Sequence, residues 1–401
     1  MSKLTKYKFS DLYNMASGIS STKEQAGHGS PFLSFSVVFN NYFVPDVLND
    51  LMDTSEKEKD TYSIKEGDIF LTRTSEVVDE LAMSCVAVKD YPEATFSGFL
   101  KRLRPTQDNI TYPKFMAFYL RSPMFRKTMT NNAVMTLRAS LNEAIFSYLD
   151  LLLPAYSEQR KAGDLLYLLN QKIALNNRIN AELESMAKTL YDYWFVQFDF
   201  PDANGKPYKT SGGKMVYNAT LKREIPAGWS ISNLGDIAEL YQPKTISGKH
   251  LVDNGKYLVY GANGIVGRFD EYNHKESMVT ITCRGNTCGN INITRPYSWI
   301  TGNAMVVKPN HDYLSSYYIY NLLLMSEIDK VITGSAQPQI TRANLAPLKV
   351  VNPAVDVLQR FSIIADGLFK KQISMLDENE KLSNLRDWLL PLLMNGQVTV
   401  K

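Results

Sequence analysis

The segment Ser97-Gly-Phe-Leu-Lys-Arg-Leu-Arg-Pro105 returns in the second half of the chain as Thr301-Gly-Asn-Ala-Met-Val-Val-Lys-Pro309. Each version opens with a hydroxyl residue and glycine, continues as a strand-like run and closes on proline. Such a run, bounded by turn residues, is typical of a β-strand. The recurrence indicates that the chain contains two versions of one module.

Other segments recur around this one in the same order and at approximately the same spacing. The matched pairs are Phe9–Tyr13 with Leu234–Ala238, Arg138–Leu141 with Gln337–Ile340, Pro154 with Pro353, and Gln159-Arg160 with Gln359-Arg360. The residues themselves have diverged widely. A duplicated module that keeps its frame and varies its loops predicts two sites that read two different things.

The composition excludes several broad classes of protein. At 401 residues, the chain exceeds the size at which a single core usually stops growing. Its 44% hydrophobic and 21% charged residues predict folded globular domains. Three cysteines are too few for a disulfide framework, which favours a reducing compartment. Without a signal peptide or a long apolar run, we expect a soluble, cytoplasmic protein with no membrane contact.

Each module is predicted to be α+β. The first has strand composition at Asp68–Thr72, Cys85–Val88 and Leu149–Leu153, and helical spacing over Tyr112–Thr130. The second has its clearest strands at Ser277–Thr282 and Ala304–Val307, and its clearest helix at Leu314–Asp329.

A long helix is predicted after each module, over Ser157–Phe195 and Val355–Asn395. A helix of about forty residues extends about 60 Å. Apolar residues recur at intervals of three or four, which is typical of helices that pack on a partner. We expect the two helices to pair as an antiparallel coiled-coil spacer. The predicted partner-binding positions are Leu165, Leu169, Ile173, Ile179, Leu183, Leu376, Leu382 and Leu389.

The sequence therefore predicts five segments. They are a first recognition module at 1–154, a spacer helix at 155–196, a Gly- and Pro-rich connector at 197–229, a second module at 230–353 and a second spacer helix at 354–397.

Motifs with known catalytic chemistry are not identifiable in the sequence. The stretch Gly261-Ala-Asn-Gly264-Ile-Val-Gly267 lacks the GxGxxG spacing and the following helix of a dinucleotide site, so we interpret it as a tight β-turn. Cys283 and Cys288 do not have the spacing of a zinc site, and the four histidines are scattered. Asn352-Pro-Ala-Val355 lacks the second proline and the aromatic residue of an amino-methyltransferase motif. We expect no catalytic residue and no metal.

Binding chemistry remains. Arginine can bind guanine bidentately, and asparagine or glutamine can bind adenine, in a DNA major groove. In both modules, one polar loop follows a predicted central strand, which is Asp68–Thr72 in the first and Ser277–Thr282 in the second. A second polar loop precedes the last strand of each module. Their recurrence favours a binding role for the set Arg73, Thr74, Ser75, Arg138, Ser140, Asn142, Arg284, Asn286, Thr287, Asn290, Gln337, Gln339 and Arg342.

The whole pattern closely resembles the specificity subunit of type I restriction-modification systems. The resemblance rests on two variable modules, each followed by a long helix, and on the stretches Tyr260-Gly-Ala-Asn-Gly264, Gly302-Asn303 and Gly334-Ser-Ala-Gln-Pro-Gln-Ile-Thr341. The architecture is its most specific element. The resemblance adds Tyr260 and Asn263 to the predicted DNA-binding residues.

The resemblance implies two target recognition domains, each reading one half of a bipartite asymmetric sequence in double-stranded DNA. It implies that the paired helices fix the gap between the halves and dock two adenine-N6 methyltransferase subunits. Restriction subunits would join for cleavage. The chain would bind no cofactor itself, because S-adenosylmethionine would belong to the methyltransferase subunits, and ATP and Mg to the restriction subunits.

Two alternatives remain open at this point. One is a type IIB-like or methyltransferase system in which the chain contributes to a catalytic site. The other is a coiled-coil adaptor whose modules bind protein rather than DNA.

Overall fold

Two compact units make up the chain in the computed structural model, which describes residues 3–20, 22–77, 80–131, 134–135, 139–141, 143–334 and 337–400. Unit 1 combines Met1–Leu175 with Glu378–Lys401, and unit 2 is Asn176–Asp377. Helices and strands are mixed in both, which confirms the predicted α+β class. The five predicted segments are finer than this division and stay a prediction.

Short strands dominate unit 1. They are β1 (Thr5–Lys8), β2 (Tyr13–Ser17), β3 (Ala26–Leu33), β4 (Leu51–Met52), β5 (Ile69–Thr72), β6 (Thr74–Ser75), β7 (Ser84–Val86), β8 (Thr95–Phe96), β9 (Leu100–Pro105), β10 (Val134–Met135), β11 (Ala139–Ser140) and β12 (Asp150–Leu153). The helices are α1 (Phe9–Leu12), α2 (Phe35–Asn40), α3 (Glu56–Thr61), α4 (Pro113–Tyr119), α5 (Pro123–Asn131), the first part of α6 (Tyr156–Tyr191) and the end of α10 (Val355–Met394).

Unit 2 contains a comparable set. Its strands are β13 (Met215–Asn218), β14 (Arg223–Pro226), β15 (Ser230–Asn233), β16 (Ala238–Tyr241), β17 (Tyr257–Gly261), β18 (Gly264–Phe269), β19 (Val279–Thr282), β20 (Ile291–Ile293), β21 (Trp299–Ile300), β22 (Ala304–Pro309) and β23 (Lys349–Asn352). Its helices are the end of α6 with a π-helical turn at Asp192–Val196, then α7 (Leu234–Ile237), α8 (Ser316–Leu324), α9 (Arg342–Leu345) and the first part of α10 (Val355–Met394).

The strand order confirms the predicted duplication. The main sheet is β2-β9-β5-β7 in unit 1 and β16-β22-β19-β20 in unit 2, antiparallel throughout. A separate antiparallel pair joins the first and last strands of each module, as β1-β12 and β15-β23. A parallel pair also recurs, as β3-β8 and β17-β21. The repeated segments of the sequence therefore occupy equivalent positions in two copies of one topology.

The matched segments near the start of each module confirm this equivalence. Phe9–Leu12 and Leu234–Ile237 are both one-turn helices that lead directly into the edge strand of the main sheet. The first residue of each helix is buried in the core of its unit. Burial of such a side chain contributes about 1.5–3 kcal/mol to the stability of the fold.

Two predicted helices are shorter than expected. The helix predicted over Tyr112–Thr130 is two helices, α4 and α5, because Pro123 lacks an amide hydrogen and begins a new helix rather than continuing one. The helix predicted over Leu314–Asp329 ends at Leu324.

The match of Gln159 with Gln359 between the two copies is also wrong at the level of single residues. Gln159 is buried, donates to the carbonyl oxygens of Ile110 and Pro154, and accepts from the amide of Tyr112, whereas Gln359 is exposed. Relative to the prolines that precede the two helices, the glutamines differ by one residue. One residue turns a side chain by about 100° around a helix, which moves it to another face.

Both long helices confirm the predicted regions, and they contact each other inside each unit. In unit 1, Asn379 donates to the carbonyl of Ile173 at 3.5 Å, and Lys172 forms an ion pair with Glu378 at 3.4 Å. The next turns carry the apolar residues of the unit 1 core, which include Leu166 and Leu390.

In unit 2, Gln372 donates to the carbonyl of Asn180 at 3.2 Å, and the rings of Tyr191 and Phe361 lie 6.0 Å apart. The residue numbers rise along α6 while they fall along α10, so the two segments are antiparallel in this unit. No helix within the described ranges is long and apolar enough to cross a membrane.

Candidate nucleic-acid interface

The loop that follows β19 in unit 2 carries Arg284 and is folded tightly on itself. Gly285 and Gly289 both adopt positive φ angles, of 87° and 92°. The amide of Cys288 donates to the carbonyl of Gly285, and the amide of Asn290 donates to the carbonyl of Thr287. These turns leave Arg284 and Asn286 exposed and Thr287 half-buried.

A second polar segment, ending at Arg342, runs alongside this loop. Arg284 and Gln339 form an antiparallel bridge. The amide of Gly285 donates to the carbonyl of Pro338 at 3.2 Å, and the amide of Ile340 donates to the carbonyl of Cys283 at 2.9 Å. Because the Ile340 side chain is buried in the core, it fixes the segment in this register.

Three of the predicted residues line one cleft of about 300 Å³: Arg284, Gln339 and Arg342. Tyr241 and Gln242, at the end of β16, line the same cleft. Gln337 is exposed on the same polar segment. The cleft therefore combines guanidinium and amide groups, the donors and acceptors that bind base edges.

Asn263 and Asn290 are also brought together, since the Asn290 amide donates to the Asn263 carbonyl oxygen at 3.1 Å. Asn263 lies in the turn between β17 and β18, which confirms that the glycine-rich stretch is a β-turn. Tyr260 differs from Asn263 and Asn290, which are exposed. Its side chain is buried and its hydroxyl accepts from the backbone amide of Arg295, and burial raises its pKa.

The equivalent cluster in unit 1 is formed by β6 and β11. Thr74 pairs with Ser140, and Ser75 pairs with Ala139. The amide of Leu141 donates to the carbonyl of Arg73 at 2.9 Å, which is the counterpart of the Ile340–Cys283 hydrogen bond. Thr74 is therefore the structural equivalent of Arg284.

The side chains of this first cluster are partly known. Arg73 is exposed, Thr74 is half-buried, and Ser75 donates to the carboxylate of Glu80 at 3.1 Å. Arg138 and Asn142 lie outside the described residues, and only the backbone of Ser140 is described. The DNA-binding role of all fifteen residues stays a prediction.

A cleft of about 550 Å³ with a basic rim was not predicted from the sequence. It is lined by Lys244, Lys275 and Lys308, with Tyr241 and Trp299 among its other residues. The three lysines are exposed, and they come from different parts of unit 2. Tyr241 lines this cleft and the Arg284 cleft, so the two are neighbours.

The histidine in this second cleft is part of its framework. His274 is buried, with one ring nitrogen 2.9 Å from the hydroxyl of Tyr241 and the other 2.6 Å from the side-chain oxygen of Asn273. Burial lowers the pKa of His274, and the positive charge of Lys308 lowers it further. Among the described residues, no group of three His, Cys, Asp or Glu side chains is placed to hold a metal ion.

The predicted partner-binding residues of the helices are mostly half-buried: Leu165, Leu169, Ile173, Ile179, Leu183, Leu382 and Leu389. Leu376 is 37% exposed. Other apolar residues on the helices are more exposed and were not among the predicted partner-binding positions. They include Leu168 and Trp388 in unit 1, and Met186 and Ile363 in unit 2.

The chain is similar in sequence to known proteins. The family model of the type I restriction modification DNA specificity domain matches residues 1–185 and 226–376. The MjaIX type I restriction enzyme specificity subunit of Methanocaldococcus jannaschii is 26% identical over 270 residues, covering 62% of this chain and 60% of that protein. The HindI specificity subunit of Haemophilus influenzae is 21% identical over 441 residues, covering 92% of this chain and 94% of that protein.

A solved structure shows the same fold. The crystal structure of the type I restriction-modification S subunit from M. genitalium has a TM-score of 0.64 and 15% identity, and the match covers 98% of this chain and 96% of that one. Because the family model covers most of the sequence, in both copies of the module, the chain belongs to the family of type I restriction-modification DNA specificity subunits.

Proposed function

We propose that this chain is the subunit through which a type I restriction-modification complex reads a bipartite asymmetric sequence in double-stranded DNA. Unit 2 would read one half through the cleft lined by Arg284, Gln339 and Arg342. Unit 1 would read the other half through the equivalent cluster around Arg73 and Thr74.

The observation that carries this proposal is the recurrence of one loop pairing in both units. The hydrogen bond from Ile340 to Cys283 and that from Leu141 to Arg73 are both 2.9 Å long. The frame is thus constant, while the residues it presents differ, with Arg284 in one copy and Thr74 in the other. Two readers with one frame and different side chains suit a target whose halves differ.

The basic cleft supports binding of a duplex. Phosphate contacts supply most of the affinity and the salt dependence of DNA binding, while base contacts supply the specificity. Lys244, Lys275 and Lys308 lie next to the Arg284 cleft, so we assign them to the DNA backbone. With a net charge of only +3, we expect the partner subunits to supply further phosphate contacts.

The paired helices would act as the spacer between half-sites and as the docking surface for two methyltransferase subunits and for the restriction subunits. The exposed apolar residues Leu168, Trp388, Met186 and Ile363 suit such a surface, because isolated apolar side chains on long helices gain by burial against a partner. S-adenosylmethionine, ATP and Mg would be bound by those partners and not by this chain.

The proposal is tested by measuring DNA binding of the chain in complex with its methyltransferase subunits. We expect salt-dependent binding that favours one sequence over random DNA. Methylation by the chain alone with S-adenosylmethionine would instead support a catalytic chain. Absence of sequence-selective binding by the complex would support the protein-binding adaptor.

A further inference from the structure

One turn of unit 1 holds an exposed aromatic residue at the edge of the cluster formed by β6 and β11. The turn connects β8 to β9, and its ends are joined by a hydrogen bond from the Leu100 amide to the Ser97 carbonyl, at 2.9 Å. The Ser97 amide donates to the Leu33 carbonyl at 3.1 Å, and the Arg73 amide donates to the Phe99 carbonyl at 3.0 Å. Phe99 is therefore fixed beside Arg73, the first residue of this cluster.

The turn between β21 and β22 has the same three hydrogen bonds. The Ala304 amide donates to the Thr301 carbonyl at 3.1 Å, the Thr301 amide donates to the Tyr260 carbonyl at 2.9 Å, and the Cys283 amide donates to the Asn303 carbonyl at 3.4 Å. Asn303 is thus the structural equivalent of Phe99, and it lies beside the residue that precedes Arg284.

Both turns are seated so closely that only glycine fits at the second position. A Cβ atom on Gly98 would lie 2.7 Å from the carbonyl oxygen of Ile19. A Cβ atom on Gly302 would lie 2.6 Å from the Thr245 hydroxyl and 2.7 Å from the Pro243 carbonyl oxygen. The glycine therefore fixes the backbone in each copy and leaves the third residue free to vary.

The third residue is the one that differs in chemistry. Phe99 is 68% exposed, and Asn303 is exposed. A phenyl ring has no hydrogen-bonding group, whereas an amide offers a donor and an acceptor. Folding does not bury the Phe99 ring, so its packing does not explain the presence of an aromatic residue at this position.

We propose that this turn is a further base-reading position of both units, with Phe99 contacting the 5-methyl group of a thymine and Asn303 hydrogen-bonding to an adenine. Apolar contact with the thymine methyl and bidentate pairing of asparagine with adenine are the readings that major-groove chemistry gives to these side chains. The inference rests on the proposed function, because it places both residues against the two half-sites.

The Phe99 contact is tested with modified DNA. Replacing thymine with uracil removes only the 5-methyl group. For one thymine of the unit 1 half-site, this change should weaken binding by the methyltransferase complex about fourfold, as loss of one buried methyl predicts. Phe99→Ala should weaken binding to the unmodified site and abolish the effect of uracil. Val47→Ala, which alters another exposed apolar side chain of unit 1, is the control and should leave both measurements unchanged.

The Asn303 contact is tested in the other half-site. 7-Deazaadenine lacks the N7 acceptor, so its use at one adenine should weaken binding by the unmodified protein roughly tenfold. In Asn303→Ala this penalty should disappear. Asn254→Ala, at an exposed turn of the same unit, is the control. Thermal melting of each variant verifies its folding.

The outcomes separate this inference from the function it rests on. If the complex selects its site but tolerates uracil at every thymine and deazaadenine at every adenine, the reading position is wrong and the proposed function stands. Retention of the base-analogue penalties in Phe99→Ala and Asn303→Ala has the same meaning. If the unmodified complex does not distinguish its site from random DNA, the proposed function itself fails.

Discussion

Arg284 and Gln339 lie opposite each other in an antiparallel bridge that joins the loop after β19 to the segment before α9. Neither residue belongs to a regular strand, yet the adjacent hydrogen bonds from Gly285 and Ile340 fix their backbones. Two polar side chains that are distant in sequence thus share one cleft. On the proposed function, we expect this pair to read the half-site of unit 2.

Arg284→Ala should therefore weaken recognition of one half-site. If the guanidinium contacts a base, the cost should be about 1–3 kcal/mol on the specific site. Binding isotherms on the specific site, on sites altered in either half, and on random DNA would measure it. Specificity should relax in one half-site only. An equal loss of affinity on specific and random DNA would show that Arg284 contacts a phosphate rather than a base.

Lys308→Gln should reduce affinity for all sequences alike. One lost phosphate contact should lower the slope of log K against log salt by about 0.9. The equivalent residue of unit 1 is Arg104. Its guanidinium makes two hydrogen bonds to the fully buried Asp68 carboxylate, at 2.6 and 2.7 Å, so its substitution provides a matched comparison. An unchanged salt slope for Lys308→Gln would remove this lysine from the DNA interface.

Arg104→Gln should instead destabilise unit 1. It would leave the buried charge of Asp68 without its ion pair, at a cost of about 3 kcal/mol. Hydrogen bonding to Asp68 also raises the pKa of Arg104. Denaturant unfolding would measure the change. A stability equal to that of the unmodified protein would show that the pair contributes little.

Adding one helical turn to both long helices should change the preferred gap between half-sites. The insertions belong near Asn176 in α6 and next to Met375 in α10, between the contact of Ile173 with Asn379 and that of Asn180 with Gln372. The length of DNA between the halves, measured by selection from a library of random gaps, should increase. An insertion in α6 alone is the control, and it should impair folding because it disrupts the pairing. An unchanged gap would refute the spacer role.

Gly163→Ala should destabilise the protein even though alanine is the better helix former. Its Cβ atom would lie 2.7 Å from the backbone nitrogen of Phe115. Forcing helices apart typically costs about 1–3 kcal/mol. Gly367→Ala on α10 is the matched control, because a Cβ atom there meets nothing within 4 Å. This variant should be more stable than the unmodified protein by up to about 1 kcal/mol. Equal melting temperatures would contradict the close approach at Gly163.

Much of the fold was predictable because the sequence contains two examples of it. The recurrence of Ser97–Pro105 as Thr301–Pro309 located the second strand of each main sheet, and the apolar spacing located both long helices. Single elements were less predictable. The break before Pro123 was missed, and Gln159 was matched to a residue on another helical face.

The site was only partly predictable, for a physical reason. Arg284 and Gln339 could be proposed because both belong to recurring loops. The three lysines of the basic cleft come from different parts of unit 2, and only the folded sheet brings them together. Phe99 was overlooked because an apolar residue in a strand-like segment is usually buried, and its exposure is visible only in the structure.

The most direct test of bipartite recognition is a map of N6-methyladenine in a genome that carries this chain and its methyltransferase subunit, compared with the same genome after deletion of the chain. We expect deletion to abolish methylation at one motif made of two unequal half-sites separated by a fixed gap of unspecified bases. Methylation that survives the deletion, or that lies in a single continuous motif, would contradict the account.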